Sequence, residues 1–189
     1  MTTLVTGTTG FLGSAIARAL LEEGRRVRVL VRPGADLRNI DGLDVEPVEG
    51  DLRDPASLRT ALGGCRALYH AAAFYSLWSR DSRTMYDINV QGTRNILEAA
   101  QDAGLERIVY TSTVGCMGLH PDKRPADEAT PFQQSLLCND YKRSKYQAEQ
   151  AALEMAGQGL PVVIVNPSAP VGPRDIKPTP TGKIVLDFL

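Results

Sequence analysis

Two residues four positions apart, Tyr141 and Lys145, carry side chains that together can move a proton. On a helix this spacing places both side chains on one face. An ammonium beside a phenol favours the phenolate, so we expect Lys145 to lower the pKa of Tyr141 from an ordinary value of about 10. Such a tyrosine exchanges a proton with a hydroxyl or carbonyl group while hydride moves to or from a cofactor. Alone, the spacing is equally typical of an exposed pair that only stabilises a helix.

A hydroxyl cluster, Thr111-Ser112-Thr113, comes at the end of an apolar run that predicts a strand. A hydroxyl in this place can hydrogen-bond a reacting oxygen and stabilise the charge that develops on it. Polar residues also end many strands without any function. The cluster therefore gains meaning only beside the tyrosine and lysine.

Three glycines, Gly7, Gly10 and Gly13, lie between a predicted strand and a predicted helix that opens with Phe11 and Leu12. Strand, glycine turn and helix is the context in which such glycines hold a pyrophosphate, with the helix N-terminus facing the anion. The sequence lacks the Gly-Lys-Ser/Thr ending of an NTPase P-loop. Dinucleotide binding is the favoured interpretation, and a purely structural turn is the alternative.

The residues after the second and third predicted strands bear on which dinucleotide binds. Arg32 can pair with a 2′-phosphate through two N–H donors, which favours NADP over NAD as the cofactor. The alternative is an ordinary surface arginine after a strand, and the nearby Asp36 weakens the preference. Asp51, followed by Leu52, is placed to accept a hydrogen bond from the adenine amino group or simply to cap a turn.

Short apolar runs alternate with helical patterns along the chain, which predicts βαβ units and a parallel sheet. The expected fold is α/β, a doubly wound Rossmann-type sheet with helices on both faces. Ligands then bind beyond the carboxyl ends of the strands. Strands are predicted at Leu4–Val5, 27–31, 43–48, 67–71, 107–111 and 161–165, and helices from Phe11, from Asp54 to Gly63, at 83–103 and at 140–155.

The 189 residues carry a net charge of −1, which offers no attraction to nucleic acid or to an anionic membrane. The sequence has three cysteines without a Cys-x-x-Cys pair, as expected of a cytoplasmic protein. Two isolated histidines predict no metal site. We also expect no signal peptide and no membrane insertion, because no apolar run is long enough to span a bilayer.

Taken together, the motifs resemble the extended short-chain dehydrogenase/reductase superfamily, the NAD-dependent epimerase/dehydratase type, across essentially the whole chain. The motifs occur in that family's order and are Thr6-Gly7-x-x-Gly10-x-x-Gly13, Gly50-Asp51-Leu52, His70-Ala71-Ala72, Asn89-Val90-x-Gly92-Thr93, Thr111-Ser112-Thr113 and Tyr141-x-x-x-Lys145.

The resemblance implies roles for individual residues. Tyr141 is the acid/base, and Lys145 holds the nicotinamide ribose and tunes Tyr141. Thr113 matches the position of a catalytic serine, with Ser112 beside it. Asn89 supports the site through its helix. Main-chain groups near the nicotinamide come from Ala71, Ala72, Ala73 and Pro167.

Within that superfamily the chain is similar to the dihydroflavonol-reductase-like branch, and especially to bacterial hopanoid-associated sugar epimerases. The segments that carry this similarity are Tyr75-Ser76-Leu77-Trp78 and 166–175. The resemblance implies a sugar-like or ketone/alcohol small-molecule substrate and allows a homodimer.

Extended members of this superfamily run well past 300 residues, so the resemblance implies a dinucleotide-binding domain over 1–170 and the start of a truncated substrate region over 171–189. Two other classes stay open: a dinucleotide-binding sensor or fragment without catalysis, and a nucleotide-sugar-binding module. Persistence of both Tyr141 and Lys145 disfavours the sensor. The same pair serves reduction and epimerisation, so it does not separate the two reactions.

Overall fold

The computed structural model describes residues 1–75 and 82–189, and its described strands form one parallel sheet. The strands are β1 (Thr2–Thr6), β2 (Arg26–Val31), β3 (Val45–Glu49), β4 (Cys65–His70), β5 (Arg107–Thr111) and β6 (Val162–Val165). Their spatial order is β3-β2-β1-β4-β5-β6, with every neighbouring pair parallel. The order reverses between β1 and β4, which is where doubly wound sheets bind ligands. The predicted fold is confirmed.

Helices connect these strands and cover both faces of the sheet. They are α1 (Phe11–Glu22), α2 (Pro55–Leu62), α3 (Ser82–Tyr86), α4 (Gly92–Asp102), α5 (Asp140–Gly157) and α6 (Pro180–Phe188). A wider π turn at Asp87–Gln91 joins α3 to α4, so the long helix predicted at 83–103 is present but not uniform. Such turns are rare and concentrate at functional sites.

Two apolar cores hold the layers together. On one face Val5, Val29, Ala17 and Leu20 join β1 and β2 to α1. On the other face the larger core packs β1, β4 and β5 against α2, α4 and α5. The alternation of side chains along each strand produces the two faces, as Leu4 and Val5 of β1 enter different cores.

Helix caps place the segments that carry the site. The side chain of Asp54 accepts a hydrogen bond from the Ala56 amide over 3.0 Å and starts α2. Asn139 accepts one from the Lys142 amide over 2.8 Å, which fixes where α5 begins and so where Tyr141 lies. The strand predicted from Leu43 begins only at Val45, because a turn at Gly42, with φ +71°, occupies the residues before it.

No helix among the described residues is long and apolar enough to cross a membrane. Of the segment 75–78 that supported the narrower resemblance, only Tyr75 belongs to the described part, and the other three residues lie outside it.

Candidate active site

A cavity of about 650 Å³ lies at the carboxyl edge of the sheet. Every residue that the sequence singled out for catalysis or cofactor binding lines it, so the structure brings the separate motifs together. These residues are Gly7, Gly10, Phe11, Leu12, Gly13, Arg32, Asp51, Leu52, Ala71, Ala72, Ala73, Ser112, Thr113, Tyr141, Lys145 and Pro167.

The glycine turn lines part of the cavity. Gly7 has a φ of +78°, which L side chains rarely adopt. A Cβ at Gly13 would lie 2.3 Å from the Gly7 oxygen, so only glycine lets α1 pack on the turn. No side chain caps the start of α1, and its first turn carries no acidic residue. These uncapped N–H groups and the positive end of the helix dipole fit the pyrophosphate of a dinucleotide.

Arg32 lies exposed at the rim of the cavity, directly after β2. The carboxylate of Asp36, which weakened the NADP preference, interacts with other side chains and not with Arg32. Its carboxylate accepts hydrogen bonds from the Arg38 side chain over 2.7 and 3.0 Å and pairs with Lys177 Nζ at 3.2 Å. Both cations hold the pKa of Asp36 well below its ordinary range. Asp36 does not line the cavity, and Arg32 does.

Asp51 forms part of a turn and also faces the cavity. Its carboxylate accepts hydrogen bonds from the Arg53 amide and from Arg53 Nε, each over 2.9 Å, and from Arg53 Nη2 over 2.7 Å. These bonds lower the pKa of Asp51. The turn-capping contact expected as one alternative is therefore present. The neighbouring Leu52 is buried and packs against Gly92, where a Cβ would come within 2.8 Å of it.

Side chains of neighbouring elements hold residues 71–75, the segment after β4, by hydrogen bonds. The Ala72 amide donates to Thr6 Oγ1 over 3.2 Å. Asn89, on the π turn, donates through Nδ2 to the Phe74 oxygen and to Ser144 Oγ, each over 3.0 Å, and accepts from the Phe74 amide over 2.7 Å. Asn89 thus ties residues 71–75 to α5, which is a contact basis for its expected supporting role.

Lys145 lies at the floor of the cavity, with 2% of its surface exposed. Its ammonium donates to Tyr110 Oη and to the Thr111 oxygen, each over 2.9 Å. Nζ also lies 4.6 Å from the centre of the Tyr110 ring. Burial lowers the pKa of Lys145 to about 8, and nearby Cys116 and Glu149 oppose that shift.

Tyr141 lies in the first turn of α5, edge-on to Tyr75, with ring centres 4.5 Å apart. Its pKa is raised above the ordinary value, first by burial and then by the neighbouring Tyr75 and Cys116. The expectation that Lys145 lowers the pKa of Tyr141 is therefore wrong for this structure. The described hydrogen bonds of Lys145 go to Tyr110 and Thr111 instead, and loss of hydration dominates at the phenol.

The hydroxyl groups of Ser112 and Thr113, just after β5, have different hydrogen-bond partners. Thr113 Oγ1 accepts a hydrogen bond from the Gly115 amide over 3.2 Å, which leaves its own proton for another acceptor. Ser112 is buried and donates to Cys116 Sγ over 3.5 Å. Of the two, Thr113 is better placed to donate to a bound molecule.

Sequence reasoning missed a clamp formed by the buried Glu149 and the half-buried Asn166. Asn166 Nδ2 donates to Glu149 Oε2 over 2.7 Å and to the Thr113 oxygen over 3.0 Å. The clamp ties α5 to the turn that carries Thr113. Two features point to it: Glu149 follows Lys145 by one helical turn, and Asn166 directly follows β6.

A family model described as the NAD dependent epimerase/dehydratase family matches residues 3–187. The chain belongs to this family. The expected assignment to extended short-chain dehydrogenases/reductases is thereby confirmed. The narrower assignment to hopanoid-associated sugar epimerases stays a prediction.

Individual members of the family match the chain over nearly its whole length. A Synechocystis sp. protein named "Putative dihydroflavonol 4-reductase" is 52% identical over 98% of the chain and 54% of its own length. The crystal structure of gox2253 superposes with a TM-score of 0.93 at 55% identity, covering 98% of this chain and 57% of that one. The Thermus thermophilus UDP-glucose 4-epimerase, solved with NAD, gives a TM-score of 0.81 at 30% identity, covering 98% and 61%. The chain thus spans somewhat over half the length of these relatives.

Proposed function

We propose that the chain is the dinucleotide-binding part of an oxidoreductase or epimerase that acts by hydride transfer on a ketone/alcohol or sugar-like small molecule. The observation that carries the proposal is one cavity lined by two chemically distinct groups of residues. The glycine turn, which fits a pyrophosphate, is one group, and Thr113, Tyr141 and Lys145 are the other. In this proposal residues 1–170 are the dinucleotide-binding domain, and 171–189 begin the substrate region.

In this proposal different residues bind different parts of the dinucleotide. The turn at Gly10–Gly13 holds the pyrophosphate, Asp51 and Leu52 the adenine, and Lys145 the nicotinamide ribose. Ala71–Ala73, Ser112 and Pro167 line the nicotinamide side. When bound, the nicotinamide group supplies or accepts the hydride.

Proton transfer in this proposal belongs to Tyr141. Burial raises its pKa, so the phenol is protonated at neutral pH and can donate its proton to a carbonyl oxygen during reduction. Thr113 donates to the same oxygen and stabilises its developing charge. The buried ammonium of Lys145 adds positive charge close to these groups.

Removal of one oxygen atom tests this role. Tyr141→Phe should abolish turnover and leave the NADPH dissociation constant within about twofold of wild type, because the ring still fills its place. Reduction is followed by NADPH absorbance with a panel of ketones and sugar-like substrates, and epimerisation, which consumes no net NADPH, is followed by NMR of the product. Tyr146→Phe is the matched control on the same helix, since Tyr146 stacks on Phe132 and does not line the cavity. Full activity in Tyr141→Phe would refute the assignment.

The proposal favours NADP as the cofactor, with NAD as the second choice. Arg32 stands at the cavity rim, and the competing carboxylate of Asp36 is engaged by Arg38 and Lys177. A guanidinium in this place can pair with a 2′-phosphate. We expect NADPH to bind more tightly than NADH, and Arg32→Ala to remove the difference by weakening NADPH alone about tenfold or more. Equal affinities that Arg32→Ala does not change would show that the preference is wrong.

The free cysteines Cys65, Cys116 and Cys138 support the proposal of a cytoplasmic location, because none is paired in the structure. A homodimer stays a prediction.

A further inference from the structure

A chain of buried polar side chains runs behind the cavity, across β1, β4, α4, β5 and α5. Each member comes from a different element, and all are at least 98% buried. Hydrogen bonds join Thr6 to His70 and His70 to Thr93, and another joins Lys145 to Tyr110. The rings of His70 and Tyr110 stack between these two groups, with their centres 5.5 Å apart.

The proton position on His70 follows from the hydrogen bonds of Thr93. Thr93 Oγ1 donates to the Asn89 oxygen over 2.7 Å, so it must accept from its other partner, His70. His70 therefore carries its proton on Nε2, 3.1 Å from Thr93 Oγ1, and its Nδ1 accepts from Thr6 Oγ1 over 2.8 Å. Burial lowers the pKa of His70 to about 3, which keeps the ring neutral and consistent with this assignment.

The Tyr110 hydroxyl holds the Lys145 ammonium. Its oxygen accepts a hydrogen bond from Lys145 Nζ over 2.9 Å. An ammonium has three N–H donors, and the Thr111 oxygen takes a second. One donor of Lys145 remains, and Lys145 lines the cavity.

We propose that Tyr110 is a positioning residue whose hydroxyl aims the remaining N–H donor of Lys145 into the dinucleotide cavity. This inference rests on the proposed role of Lys145 in holding the nicotinamide ribose.

Packing alone does not call for this hydroxyl. A phenylalanine would fill the same core position and keep its ring beside the ammonium, where Nζ lies 4.6 Å from the ring centre. It would leave a buried ammonium without one of its two protein acceptors, and unpaired buried donors are costly. The role of the hydroxyl in directing the Lys145 ammonium therefore explains why position 110 is tyrosine better than the volume of the side chain does.

The test is the dissociation constant of NADPH and of NADH, measured by calorimetry between pH 6 and pH 10. Tyr110→Phe should weaken the tighter of the two about tenfold, as expected for a hydrogen bond to a charged group. As pH rises, the affinity of Tyr110→Phe should also begin to fall at a lower pH than that of wild type. The reason is that the Lys145 ammonium loses an acceptor that stabilises its charged form. The titratable groups facing Lys145 are His70 on β4, Tyr110 on β5, Cys116 after β5, and Glu149 on α5.

Two further variants serve as the control and as a separate test of the proposed function. Tyr69→Phe, on the neighbouring strand and packed in the other core, is the matched control and should bind like wild type. Lys145→Met tests the proposed function itself and should weaken binding at least as much as Tyr110→Phe. Wild-type affinity and pH dependence in Tyr110→Phe, with Lys145→Met impaired, would overturn this inference alone. Wild-type affinity in Lys145→Met would overturn the proposed role of Lys145 and the inference with it.

If Tyr110→Phe does not fold, Tyr110→Met carries the same test, because it also removes the oxygen that accepts from Lys145 Nζ and keeps an apolar side chain in the core. The same acid shift in the pH dependence of binding is then expected. An unchanged dissociation constant and pH dependence would overturn the inference.

Discussion

Lys145 holds an ammonium at the floor of the cavity, and burial lowers its pKa from 10.5 to about 8. Between these pH values the unfolded chain binds more protons at this site than the folded chain does. The site therefore makes the free energy of unfolding rise with pH across that window, by at most about 1.4 kcal/mol per pH unit. Below pH 8 the buried charge destabilises the fold by its full amount.

Lys145→Met should consequently stabilise the fold at pH 7, by about 1 to 3 kcal/mol, and lose that advantage as pH rises toward 10.5. Urea unfolding of both proteins at a series of pH values measures the difference. Lys142→Met, one turn away and only half-buried, is the matched control and should show no comparable advantage at pH 7. A difference between Lys145→Met and wild type that does not change with pH would contradict the account of the buried charge.

At the scale of elements, the turn between β1 and α1 depends on the absence of one side chain. A Cβ at Gly13 would lie 2.3 Å from the Gly7 oxygen and 2.4 Å from its carbonyl carbon. Gly13→Ala must therefore push α1 away from the turn and move the N–H groups proposed to hold the pyrophosphate. We expect the NADPH dissociation constant to rise at least about tenfold and the melting temperature to fall.

Gly157→Ala is the matched control for this change. Gly157 ends α5, and a Cβ there would meet nothing within 4 Å. It should bind NADPH like wild type and gain slightly in stability, because alanine favours helix over glycine. If Gly13→Ala bound NADPH with wild-type affinity, the turn would not position the groups that bind the pyrophosphate.

The elements themselves were largely readable from local patterns. Alternating apolar runs predicted all six strands in order, and the caps and glycines predicted the main helices. The π turn at Asp87–Gln91 was not predicted, and the contacts that Asn89 makes from it with Phe74 and Ser144 join residues 15 and 55 positions apart. Local propensity carries no information on such tertiary contacts.

At the scale of the whole molecule, the sheet explains why the candidate site was predictable as a set. Parallel strands bring their carboxyl ends to one edge, so motifs that follow β1, β2, β3, β4, β5 and β6 converge there. Reading the motifs in order was therefore enough to gather every predicted residue around one cavity.

The supporting interactions required the three-dimensional structure. Tyr110 and Lys145 are 35 positions apart, and Asn166 and Thr113 are 53 apart. Sequence spacing cannot show that these groups meet in the core. The same limit explains the wrong direction expected for the pKa of Tyr141, since burial and the actual partners of Lys145 decide it.

The central claim is that one cavity holds a dinucleotide with its reactive end beside Tyr141 and Lys145. A crystal structure of the chain with NADPH bound tests it most directly. The account predicts the pyrophosphate on the amide groups at the start of α1 and the nicotinamide ribose within hydrogen-bond distance of Lys145 Nζ. Clear density for NADPH at another surface, or with its nicotinamide directed away from Tyr141, would contradict the account.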